Sequence, residues 1–308
     1  MNDVNALRPA RSSERDRRQR WRHQLAMAAA TITAPFMGRA FPSVLERGWR
    51  YAARGHFAVP APWFVHYFGP TLELETTPQR LESIMTDWIS STADPEPATG
   101  SVWHINRFAL GGGDWSALLS PLFHNQVYQE ALQLKAADLR FRETRTYADY
   151  CEAVARSQPR MRNYRLLDTR ERVDAYFAAF IHLFESIGAH SLQRRRSLRR
   201  NASHQGALAA TRRKPGWLQW FNDWNERDIG VAVSAVGSLH RLPGGQHRMA
   251  VAHVLGLATV PVTVRLLHSA WVSSRMQELQ QPLVPAIIAG LEALRENRRG
   301  KLQGRDLL

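Results

Sequence analysis

The chain has 308 residues, 44% apolar and 22% charged, a balance that excludes a wholly disordered or fibrous protein and suffices for one large domain or two ordinary ones. Its net charge is +14, and all but three of its 41 basic residues, Lys135, Lys214 and Lys301, are arginines; such a field attracts nucleotides, nucleic acid or an anionic membrane surface, although base composition alone also produces an arginine bias. Cys151 is the only cysteine, which excludes an intramolecular disulfide and a cysteine-based metal site.

Residues 1–20 are polar and basic and read as a disordered arm. The basic run Arg15 to Arg22 followed by the apolar run Leu25 to Phe36 has the order of a targeting segment, but Pro35 and Arg39 interrupt it, so a surface helix is expected. No run reaches the ~18 consecutive apolar residues of a spanning helix, and a cytoplasmic protein is the expectation. Residues 41–70 carry Phe41, Trp49, Tyr51, Phe57, Trp63, Phe64, Tyr67 and Phe68, interrupted by Pro60, Pro62 and Pro70, and read as irregular structure packed on a core. The spacing of Leu81, Ile84, Met85 and Trp88 predicts a helix over Thr77 to Ile89.

Two breaks follow, Ala93 to Gly100 and Gly111-Gly112-Gly113-Asp114-Trp115. Asp114 is a candidate contact from this region to a ligand cleft, or else a helix N-cap. Tyr147, Tyr150, Cys151 and Val154 form one apolar stripe, which places Cys151 in a core. A helix is predicted from Asp168, whose spacing to Glu171 is that of a capping box, through Val173, Tyr176, Phe177, Phe180, Ile181 and Phe184 to Gly188. The following stretch, with an insertion at about 191–216, holds Arg194, Arg195, Arg196, Arg199, Arg200, Arg212 and Arg213. It reads as a solvated loop, or as a groove for phosphate backbones.

Glu226 and Asp228 precede an alternating strand, Ile229, Val231, Val233; Gly237 marks a hairpin, Ser238 to Leu242 the return strand, and Pro243-Gly244-Gly245 a tight turn. A helix from about Gln246 to Leu255 ends at Gly256, and Val260, Val262, Val264 and Leu266 alternate as a further strand. The tail from Ser273 to Arg299 is helical, broken near Pro282 and Pro285. Adjacent glycines before a helix start suit an anion, because the free amides of the first turn and the helix dipole face it and Arg248 can add a bidentate grip. His247 is either a further donor or a histidine packed against the core beside Ala250, Val251 and Val254.

The run Gly244-Gly245-Gln246-His247-Arg248-Met249-Ala250, with Leu255-Gly256 and Val260-Pro261-Val262, resembles the signature of the ParB/sulfiredoxin-like superfamily. The resemblance covers roughly 226–271. It implies an α+β fold in which a mainly helical N-terminal region (21–180) packs on a small ParB/sulfiredoxin-like α/β module (181–272), with a helical tail over 273–308. It further implies that Gly244, Gly245, Gln246, His247 and Arg248 hold the phosphates of ATP or another nucleotide with magnesium, in a phosphotransferase acting on a small hydroxyl-bearing substrate. A transfer of that kind needs a carboxylate, for which Glu226 and Asp228 are the candidates, and no metal site built from protein ligands alone is expected. One alternative is a nucleotide-gated DNA-binding protein of partition type using Arg194 to Arg200; another is a non-catalytic protein that keeps the fold. Gln246 stands where sulfiredoxins carry their reactive cysteine, so sulfinic acid reduction is not expected. Gly244 stands where several relatives have an acidic residue.

Overall fold

The computed structural model describes residues 25–26, 28–81, 83–85, 107–162, 165–194 and 229–303. It is an α+β fold with a helical N-terminal region. At its centre is β10 (Val260–His268), nine residues long and buried along most of its length. On one side β8 (Ile229–Val233) lies parallel to it, with Val262 beside Ile229 and Leu267 beside Val233. On the other side two strands share one edge. β2 (Glu73–Thr76) runs antiparallel against Val260 to Thr263, and β4 (Phe108–Gly111) runs parallel against Leu267 and His268. The sheet continues outward as β1 (Phe57–Pro60) beyond β4, and as β9 (Leu239–Arg241), β3 (Ser83–Met85) and β5 (Leu119–Pro121) beyond β8. A parallel pair needs a long crossover, and β8 is fully buried on both faces, as expected of an interior strand in such a sheet.

The alternation of β8 serves two cores. Val231 and Val233 join the main core, together with Val262, Val264 and Leu267 of β10. Ala232 and Leu266 join a smaller cluster with Met85, Trp115 and Leu242. The helices behind the main core are α1 (Phe41–Ala52), α2 (Ala61–Phe68), α3 (Gln126–Ala136), α4 (Arg145–Ala155), α5 (Arg170–His190), α6 (Gln246–Val254), α7 (Ser269–Leu279) and α8 (Leu283–Gln303). Cys151, on α4, is half-buried against this core.

Several expectations change. Residues 41–70 are two helices and a strand. Pro62 sits in the first turn of α2, where a missing N–H breaks no hydrogen bond. The helix expected over Thr77 to Ile89 is, in its described part, a single 3-10 turn at Pro78–Arg80 and then β3, whose Ile84 pairs with Ser120 and with Arg241. The α5 cap is Thr169, one residue later than read: its hydroxyl accepts from the Arg172 amide, while Asp168 pairs with the Arg172 guanidinium at 2.6 Å. Gly188 does not end that helix, which runs on to His190 and stops at Ser191, with φ 56°. The C-terminal hairpin, helix and strand lie where the sequence put them, within a residue or two at each boundary. Of the described strands before residue 180, β1 to β5 form one sheet with that segment, while β6 (Arg160–Arg162) and β7 (Arg165–Leu167) pair only with each other.

Candidate functional site

β9 ends at Arg241, and Leu242 remains tied to β8 through its amide, which donates to the Gly230 carbonyl at 2.8 Å. The chain must then reverse into α6 within a few residues. Gly244 and Gly245 make that reversal at φ 112° and 63°, both in the left-handed region that other residues avoid. A side chain at Gly244 would meet nothing within 4 Å, so the turn opens outward there. Gly245 is the N-cap of α6, and its carbonyl accepts the first helical bond, from Met249, at 3.0 Å. The N-cap, being a glycine, makes no side-chain hydrogen bond to the first-turn amides. They therefore present the partial positive charge of the helix N-terminus beside the open turn.

A second helix starts at the same place. Asn125 caps α3, its Oδ1 accepting from the Val127 amide at 3.1 Å and the Tyr128 amide at 3.3 Å. Its Nδ2 donates to Gln246 Oε1 at 3.4 Å, so the starts of α3 and α6 face one another across a side-chain contact.

Beneath the turn lies Arg241, which sequence reasoning missed. It is 2% exposed. Its Nη1 donates to the Gly244 carbonyl at 3.2 Å, while its Nε is buried with no hydrogen-bond partner among the described residues. Burial pulls its pKa down to about 10, with no carboxylate among the described residues acting on it. A buried guanidinium without a counter-charge is costly, and a bound anion would remove the cost.

Arg248, the expected phosphate grip, is half-buried, and its Nη2 donates to the Gln193 carbonyl just past α5. His247 turns its ring away from the turn and toward α5. It packs edge-on against Phe180 at 4.9 Å between ring centroids, and its Nε2 lies 3.0 Å from the Tyr176 hydroxyl. Behind it stands a polar cluster on the core face of the helices. Glu130, on α3, is fully buried. Its carboxylate accepts from the Tyr150 hydroxyl, from the Tyr176 hydroxyl and, at 3.2 Å, from Arg162 Nε. Arg162 also donates to the Tyr150 oxygen, as does Gln126 Nε2, at 3.0 Å. Burial and the Glu130 charge raise both phenols above their ordinary pKa. Burial, then Arg162, then Arg241 push the His247 imidazole down to about 4. A signal for this cluster was present in the sequence: Glu130 falls on the same helical stripe as Val127, Ala131 and Leu134, a charge where an apolar residue belongs.

The remaining candidates do not join the site. Asp114 accepts from the Ser116 amide and hydroxyl, each at 2.8 Å, and these bonds hold its carboxyl below the ordinary range. It follows β4, whose Gly111 lies beside His268 at the far end of β10, whereas the turn adjoins Ile229, which lies beside Val262. The cleft contact expected of Asp114 is thus replaced by a local turn cap. Arg194 is no free basic-groove residue: it pairs with Glu73 at 3.6 Å and donates to the Leu74 carbonyl at 3.1 Å. Glu226, Asp228, Arg195, Arg196, Arg199 and Arg200 lie outside the described residues, as does the basic arm. Among the described residues no three His, Cys, Asp or Glu side chains stand close enough to hold a metal ion, and no helix is long and apolar enough to cross a membrane. No family model, curated protein or solved structure matches the chain.

Proposed function

We propose that the turn at 243–248 binds the phosphates of a nucleotide, and that the protein is a nucleotide-dependent phosphotransferase acting on a small hydroxyl-bearing substrate. The observation that carries the anion site is Arg241, a buried cation bonded to the Gly244 carbonyl in the turn that enters α6. Such a pairing has one simple purpose, to meet negative charge arriving from outside. Arg248 is close enough in sequence to be drawn into the site when the ligand enters. The transfer chemistry rests on the resemblance to the ParB/sulfiredoxin-like superfamily, in which this turn holds nucleotide phosphates. The partition-type reading has less support, since the one described member of its arginine set is held by Glu73.

A thermal-shift series tests the site. Sulfate, inorganic pyrophosphate and the common nucleoside triphosphates, each with and without magnesium, should raise the melting temperature of the parent protein by a few degrees; about 2.7 kcal/mol is expected at a ligand concentration of 100 times Kd. The same ligands should leave Arg241→Met unmoved. Equal shifts in the parent and in Arg241→Met would remove the assignment.

A further inference from the structure

Ahead of the sheet the chain follows a helical path. Residues 25–26 and 28–33 are α-helical, two 3-10 turns follow at Ala34–Phe36 and Gly38–Ala40, and α1 runs on to Ala52. Met37, between the two turns, is also in the right-handed helical region. One side of this path packs inward: Ala30, Ala34, Phe41, Leu45 and Ala52 are buried, and Met37 packs against the main core. The Trp63 indole, on α2, donates to the Thr33 hydroxyl at 3.0 Å and ties the first part of the path to the same body.

The outward side changes character along its length. Its first positions, at the spacings of three and four that one helix face gives, are Leu25, Ala29, Ile32 and Phe36. Leu25, Ile32 and Phe36 are 55%, 66% and 85% exposed. A single exposed apolar side chain is ordinary, but three on one stripe mark a surface that meets something. In consecutive 3-10 turns residues three apart eclipse, so Arg39 follows Phe36 on the same side. Beyond it Arg47, Arg50 and Arg54 recur at three and four residues on the exposed face of α1 and its end. Glu46 is the only acidic residue between positions 25 and 72, and it pairs with Arg50 at 2.6 Å. Arg39, Arg47 and Arg54 have no acidic partner among the described residues.

We propose that this outward stripe, apolar from Leu25 to Phe36 and basic from Arg39 to Arg54, docks the protein on an anionic phospholipid membrane. The helical path lies along the bilayer surface while its inward side stays packed on the core. Leu25, Ile32 and Phe36 enter the boundary between headgroups and acyl chains, and the arginines bond the lipid phosphates, two N–H groups to each. Nucleic acid would match the basic half alone, because aliphatic Leu25 and Ile32 offer no flat face on which a base can stack. A bilayer matches both halves.

Flotation of the full chain with lipid vesicles at about 0.15 M salt tests the docking. Vesicles of phosphatidylcholine containing about 30% phosphatidylglycerol should hold the parent protein at least ~tenfold more tightly than phosphatidylcholine alone. The double variant Ile32→Ser/Phe36→Ser and the triple variant Arg39→Gln/Arg47→Gln/Arg54→Gln should each bind the anionic vesicles at least ~tenfold more weakly than the parent. A control, Arg140→Gln/Arg145→Gln/Arg156→Gln, removes the same charge from exposed positions elsewhere and should stay within about twofold of the parent. All these side chains face solvent, so each variant should unfold within about 2 °C of the parent. A parent that does not float with the anionic vesicles overturns the proposal. An equal loss in the control also overturns it, since basicity alone would then be the cause. A parent that self-associates without lipid, and ceases to in Ile32→Ser/Phe36→Ser, overturns it in favour of a second copy of this chain.

Discussion

At the scale of single residues, the two groups nearest the turn carry opposite relations to stability. His247 is held neutral, with its pKa moved from 6.5 to about 4. Between these values the unfolded chain binds a proton that the folded protein does not, so stability falls as the pH drops from about 6.5 toward 4 and is fully present above that window. The loss should reach about 2 kcal/mol, allowing for the part of the ring open to water. Urea unfolding at pH 7 and pH 4.5 should show the loss in the parent and a smaller one in His247→Gln; equal losses would mean the ring titrates freely. Arg241 acts the other way. Removing its unbalanced charge should cost nothing, and Arg241→Met should unfold at the same urea concentration as the parent or higher, with a gain of up to ~1 kcal/mol. That outcome is what a ligand-site role for Arg241 requires and what a structural role does not.

At the scale of elements, α6 depends on how its first turn is entered. Gly245→Ala would place a methyl 3.1 Å from Ile229 Cγ1 at a φ of 63°, so a loss of about 1–2 kcal/mol is expected, readable by thermal unfolding. Gly244→Ala meets open space, and its cost is limited to the backbone conformation. Asn125→Ala removes the cap of α3 and its contact with Gln246, for about 1 kcal/mol. The elements legible in the sequence are those with long or strongly marked patterns. The alternation of Ile229, Val231 and Val233, the nine-residue run from Val260 and the stripe from Val173 each repeat often enough to fix a period. β3 was not legible, because Leu81, Ile84 and Met85 fit a helical spacing equally well and a three-residue strand is too short to contradict it. Its partners, β5 and β9, lie far along the chain, and only they decide the matter. The candidate site was half legible for the same reason. The turn is local, so Gly244 to Arg248 announced themselves. The Glu130, Tyr150, Arg162, Tyr176 and His247 cluster draws on five elements, and no single stretch of sequence holds it.

At the scale of the molecule, the module expected to begin near residue 181 does not close on itself. β10 is paired along one edge by β2 and β4, both from the first 111 residues. A fragment of residues 181–308 would expose that edge and the main-core faces of β8 and β10, and should give a poorly dispersed proton–nitrogen NMR spectrum, whereas the full chain gives a dispersed one. A well-dispersed fragment would restore the independent module. The shared edge also sets an order on biosynthesis. A ribosome makes β2 and β4 long before it makes β10, and neither lies against the other in the finished sheet. Until the last sixth of the chain emerges, these two strands lack the partner that joins them. The fold is therefore completed late and across large sequence separations, the regime in which closure is slow and nascent strand edges are most exposed to neighbouring chains.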